Sequence, residues 1–228
     1  MRAWRTRRIL LALTLILPLL LACGGSAIMA DEMEEAEEVT SLCGGLVLNL
    51  GTPNPRKVEA MLRAGREANR MGRPVVFDPV GVGCSAFRRE ASSRILEQVQ
   101  LSVIRGNASE IAALTGGEAG RCGVDADASA ASAEKSARLL AKKTGAVVVA
   151  SGATDLVTDG EALYCVHNGH PMMRTVTGTG CQLSGMMTAY VTANPDEKLD
   201  AAAAAVCVMG IAGEIGWERM QDGDGNST

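Results

Sequence analysis

Gly178-Thr179-Gly180-Cys181 stands immediately before a run that reads as a helix. Small residues there let backbone N–H groups face a cavity, and a helix N-terminus adds partial positive charge. Such a turn can hold a phosphoryl group in transfer, with Thr179 and Gly180 forming the anion hole. A plain tight turn has the same spelling. The helix start should also favour the Cys181 thiolate, which would suit a base that takes a proton from a hydroxyl. The alternative is a small residue that only shapes the hole. Asp78 and Glu110 are candidates for Mg2+, which prefers a few carboxylates together with phosphate oxygens. Asp78 before Pro79 equally suits a turn, and Glu110, three residues after Asn107, equally suits a capping box. Arg105 could bind phosphate or be a surface charge. His167 and His170 lie in a Gly/Pro turn with no third ligand nearby, which reads as a structural loop.

These residues must be positioned by the elements around them. Residues 46–50 predict a buried strand, ending at Gly51-Thr52-Pro53, and Pro55 opens a helix to about residue 71 with Gly72 as its C-cap. The pattern recurs with strands at 74–77, 101–104 and 146–150, and with helices near 86–99, from Asn107 to 114, and up to 144. A Gly/Ala/Asp-rich loop runs to about residue 128. Shorter strands at 156–158 and 162–166 form a hairpin through Asp159-Gly160, and helices follow to about 192 and over 199–219. The class is α/β: a mostly parallel sheet flanked by helices, with a local antiparallel hairpin. Asn49, Asp78, Arg105 and Ser151 each end a predicted strand, so they should converge on the edge where parallel sheets bind ligands.

The 228 residues suffice for one α/β domain with a full core, and only 3% are aromatic, so that core is aliphatic. A net charge of −4, with no basic block beyond the first eight residues, argues against a nucleic-acid partner. Seven cysteines without a C-x-x-C spacing favour neither a zinc ribbon nor a disulfide framework and suit a reduced interior. The first 20 residues point the other way. Arg2, Arg5, Arg7 and Arg8 precede an apolar run, and Leu21-Ala22-Cys23-Gly24 has the form of a lipoprotein cleavage site.

Six segments in order resemble the hydroxyethylthiazole kinase family of the ribokinase-like superfamily: Ala22-Cys23-Gly24-Gly25-Ser26-Ala27-Ile28-Met29-Ala30, Val47-Leu48-Asn49-Leu50-Gly51-Thr52, Asp78-Pro79-Val80-Gly81-Val82-Gly83, Arg105-Gly106-Asn107-Ala108-Ser109-Glu110, His167-Asn168-Gly169-His170 and Val176-Thr177-Gly178-Thr179-Gly180-Cys181. The resemblance implies a ribokinase-like sheet and ATP-dependent phosphorylation of the primary alcohol of 4-methyl-5-(2-hydroxyethyl)thiazole. It implies contacts from Met29 and Gly178 to the alcohol, from Arg105 and Ser151 to ATP, and from Asp78 and Glu110 to Mg2+. The family more often has Thr where Ser151 stands. Cys181 takes the position where most ribokinase-like enzymes carry an Asp base. A homotrimer with shared active sites is also implied. The similarity begins at about residue 21 and runs to 228, so residues 1–20 form a non-matching, signal-peptide-like segment before a kinase domain over 21–228. The family's own N-terminal segment and its last helices have no counterpart, which leaves an inactive fragment open. Because ATP is scarce outside the cytosol, a cytoplasmic enzyme is the reading, with no membrane partner. A hydroxymethylpyrimidine-type kinase and an exported ligand-binding lipoprotein compete with it.

Overall fold

Alternating side chains send each strand's residues to opposite faces, and here both faces are apolar because helices cover both. In a computed structural model that describes residues 8–11, 17–116 and 130–221, the strands are β1 (Arg8–Leu11), β2 (Ser26–Met29), β3 (Gly45–Asn49), β4 (Val75–Asp78), β5 (Val103–Asn107), β6 (Val147–Ser151), β7 (Asp155–Thr158) and β8 (Leu163–Val166). Among the described residues they form one sheet of order β2-β1-β3-β4-β5-β6-β7-β8. Pairing is parallel from β2 to β6 and antiparallel for β6–β7 and β7–β8. The helices are α1 (Leu17–Ala22), α2 (Ala36–Ser41), α3 (Pro55–Arg70), α4 (Ala86–Gln98), α5 (Ala108–Leu114), α6 (Ala130–Thr144), α7 (Thr179–Ala193) and α8 (Lys198–Arg219). Arg2, Arg5 and Arg7, most of the Gly/Ala/Asp-rich loop and the tail from 222 lie outside the described residues.

One face carries Leu46, Leu48, Phe77, Ile104 and Val148 against α3, α4 and α6. The other carries Val76, Val103, Val147, Val149 and Val157 against Leu183, Met186 and Met187 of α7 and Ala202 and Val206 of α8. This parity sets the site. Asn49, Asp78, Arg105 and Ser151 each stand two residues beyond a residue of the second side (Val47, Val76, Val103 and Val149), so all four side chains turn towards α7.

Three elements differ from the sequence expectation, the first being residues 8–11, which lie in the signal-peptide-like segment and form a strand of the sheet. Residues 26–29 form a strand, paired in parallel with β1, in what reads only as a short apolar stretch. The strand expected at 101–104 runs instead to Asn107, because Gly106 and Asn107 continue the ladder opposite Ala150 and Ser151. Arg105 is therefore inside a strand, which holds it more rigidly than a loop would.

Helix starts follow local chemistry. Asn54 accepts the N–H of Lys57 and Pro55 takes the first turn of α3. Helix α7 is different: its N-cap is Gly178 at φ +87°, with no side-chain capping bond. Its first N–H groups are left to face the sheet edge. Helix α8 is long and apolar enough to cross a membrane by composition, but Ala201, Ala202, Ala205 and Val206 on one side are buried in the core.

Candidate active site

Asp78 is at the centre of the convergence and is wholly buried. Its Oδ2 accepts from Asn49 Nδ2 at 3.0 Å and from Ser184 Oγ at 2.8 Å, while its Oδ1 is buried without a hydrogen-bond partner. Burial pushes its pKa up, against the pull of Arg105 and the Ser184 hydrogen bond. Arg105 Nη1 lies 3.9 Å from Asp78 Oδ2, and Nη2 donates to Ser151 Oγ at 2.8 Å. A Cβ at Gly180 would overlap both terminal nitrogens of Arg105, so glycine is what lets α7 start against the guanidinium.

Cys181 Sγ accepts from Asn49 Nδ2 at 3.2 Å. Its thiol pKa is pushed up to about 11 by burial first and by the Asp78 charge second, with Asn49 and Arg105 pulling the other way. This corrects the expectation that the helix start favours the thiolate. The dipole acts at the end of a helix turn, but desolvation and a carboxylate beside the sulfur act more strongly here.

Glu110 is placed differently from Asp78. Its Oε1 accepts the Gly81 N–H at 2.8 Å and its Oε2 accepts the Asn107 N–H at 2.8 Å, completing a capping box with Asn107. It ties the turn after β4 to the start of α5. Met29, partly exposed at the end of β2, makes no hydrogen bond to the Asp78 cluster. Beside it a cleft of about 470 Å³, counted with its open mouth, is lined by Ala30, Asp31, Asn49, Gly51, Lys57 and Met61. Lys57 and Asp31 pair at 2.8 Å on this cleft. Asn49 forms part of the cleft wall, while its side-chain amide donates to Asp78 and Cys181.

Among the described residues no cluster of three or more His, Cys, Asp or Glu is placed to hold a metal. Magnesium in phosphoryl-transfer sites takes only one or two carboxylates, with phosphate oxygens and water completing the shell. The unpartnered Oδ1 of Asp78 fits that need, and each Glu110 oxygen, accepting one backbone N–H, keeps a further lone pair. His167 pairs with Thr154 through Nδ1 at 3.1 Å and His170 stacks on Trp217.

Ser184 is absent from the sequence reading, although its place one turn after Cys181 on α7 puts it on the same helix face. Asp155 is another omission. It accepts the Gly152 N–H at 2.9 Å, feels the Arg105 charge, and has its pKa raised chiefly by burial.

The mainly parallel sheet with its antiparallel hairpin is a ribokinase-like fold, and its polar strand ends face an uncapped glycine helix start. The pyridoxal kinase from Staphylococcus aureus, solved with AMP-PCP and pyridoxal, shares the fold at TM-score 0.69 and 16% identity, over 92% of this chain and 88% of that one. The chain belongs to the hydroxyethylthiazole kinase family, whose model matches residues 15–227. It is 47% identical over 217 residues to hydroxyethylthiazole kinase from Clostridium acetobutylicum, covering 92% of this chain and 80% of that protein. The solved hydroxyethylthiazole kinase protein from Pyrococcus horikoshii OT3 is similar at TM-score 0.86 and 33% identity, over 97% of this chain and 84% of that one.

Proposed function

We propose that this kinase transfers the γ-phosphoryl group of ATP, with Mg2+, to the primary alcohol of 4-methyl-5-(2-hydroxyethyl)thiazole, in the cytoplasm, as a homotrimer serving thiamine salvage. The observation that carries the reading is the convergence of Asp78, Asn49, Arg105 and Cys181 at the uncapped start of α7.

In this reading Arg105 and Ser151 bind the ATP phosphates, and the N–H groups after Gly178 receive the group in transfer. Met29 and Gly178 hold the alcohol. Its oxygen attacks the γ-phosphorus, the bond to the β,γ-bridging oxygen breaks, and ADP leaves with that electron pair. Cys181 stands where the hydroxyl proton would go. Asp78 would hold Mg2+ through Oδ1, with Glu110 bracing the turn. The ion, when bound, would neutralise phosphate charge and offset the Asp78 charge, which after burial is the second cause of the raised Cys181 pKa.

The test is ADP release and phosphate-ester formation with the thiazole alcohol, hydroxymethylpyrimidine and pyridoxal offered in parallel. A kcat/KM highest for the thiazole alcohol is expected. Preference for either of the remaining alcohols, or no turnover of any, would overturn the assignment. Light scattering on the eluted protein tests the trimer.

A further inference from the structure

Between β8 and α7 the chain runs across α8, and α8 offers it a built seat. Gly210, Gly213, Glu214 and Trp217 follow one another at i, i+3, i+4 and i+7, so they share a helix face. Each meets the crossing segment. A Cβ at Gly210 would lie 2.6 Å from Asn168 Cβ and 2.8 Å from its carbonyl carbon. A Cβ at Gly213 would overlap the side chain of Met173. Glu214 Oε1 accepts the N–H of Gly169 at 2.7 Å, and the Trp217 ring stacks on His170 at 4.2 Å between centroids and 13° between planes. His170 in turn caps the 3-10 turn Pro171–Thr175.

Both the glycines and the glutamate run against helix preference. Glycine in a helix interior costs about 1 kcal/mol relative to alanine. A carboxylate towards a helix C-terminus faces the negative end of the dipole. The contacts explain both: the glycines admit a backbone, and the carboxylate receives an N–H. After Met173 the chain is exposed through residue 177 and becomes part-buried again at Gly178, the N-cap of α7.

We infer that this face of α8 is a cradle that sets where the chain enters the anion hole, and that Glu214 is a positioning residue for phosphoryl transfer. The inference rests on the reading of Gly178–Cys181 as the phosphoryl site. Displacement of such a site by about 1 Å is enough to cost about 10²-fold in rate.

Trp217 supplies a readout independent of turnover. The chain has 2 tryptophans, so Trp4→Phe leaves Trp217 as the sole reporter. In that background, Mg–ATP should change Trp217 emission. Glu214→Ala should abolish the change and lower kcat about ten-fold or more, with KM for the alcohol nearly constant. Glu214→Gln, which keeps an acceptor oxygen, should restore both. Gly213→Ala should mimic Glu214→Ala, and Met173→Ala added to it should rescue. If Glu214→Ala does not fold, the Gly213/Met173 pair decides alone. Parental kcat and emission response in folded Glu214→Ala or Gly213→Ala would overturn the cradle. Absence of thiazole turnover in the parent, with the emission changes as expected, would overturn the proposed substrate and leave the cradle standing.

Discussion

The end of β4 and the first turn of α5 each carry a carboxylate, and the two behave as different chemical objects. Asp78 is wholly buried, shares one oxygen between Asn49 and Ser184, and keeps the other unpartnered. Glu110 spends both oxygens on backbone N–H groups. The first arrangement leaves bonding capacity aimed into a desolvated site, which is costly for folding and useful for chemistry. The second satisfies orphan donors and stiffens a turn. Residue type does not distinguish them; the number of satisfied oxygens does.

The largest effect should come from the thiol beside Asp78. If Cys181 accepts the substrate proton, Cys181→Ala should lower kcat by about 10²–10⁴-fold, Cys181→Ser should resemble it, and Cys181→Asp should retain activity. Equal rates for all three in steady-state assays would reduce Cys181 to packing. Its pKa of about 11 adds a pH signature: kcat should rise with pH from neutrality if the thiolate is required. The linkage has the matching sign. The raised pKa favours the protonated folded state, so this contribution to stability is complete below the ordinary thiol value of 9.0 and is lost as pH rises through about 11. Urea melts from pH 8 upward would show it most clearly by difference from Cys181→Ala.

Asp78→Asn should lower kcat by about 10²–10³-fold, in the range of lost electrostatic stabilisation, yet move the melting temperature little, because relief of the buried carboxylate is offset by loss of the partner 3.9 Å from Arg105. Arg105→Ala should weaken ATP binding about ten-fold or more by calorimetry. Glu110→Ala should invert the Asp78 result. It should lower stability by about 1.5–3 kcal/mol in denaturant titration, with kcat changed only a few-fold. A Glu110→Ala enzyme that is stable but inactive would erase the distinction between the two carboxylates.

The strand ends were legible because short apolar runs closed by turn residues are local signals, and Asn49, Asp78, Arg105 and Ser151 do gather on one face. The direction of the Cys181 pKa was not legible, because it depends on burial and on Asp78, a neighbour only in space. Ser184 was hidden among small residues of α7, and its meaning appears only once Asp78 is opposite. Glycines in the Ala-rich α8 likewise carried no local reason; the reason is a segment that arrives from β8. Strand β2 was missed because four residues with one apolar stretch give too short a pattern to separate strand from loop.

Strand β2 has a consequence for local opening. Among the described residues it hydrogen-bonds within the sheet to β1 alone, and β1 meets β3 at two registered positions, Ile9 with Gly45 and Leu10 with Leu46. Lying at the sheet's end, the pair can detach without parting any other strands, and its departure would bare an edge of β3. Met29 travels with it. An alcohol that touches Met29 and also the groups around Asp78 would bind only the attached form, so part of its binding energy would go into holding that edge closed. Amide exchange at residues 26–29 should then slow in step with alcohol occupancy, while exchange in β4 and β5 stays slow throughout.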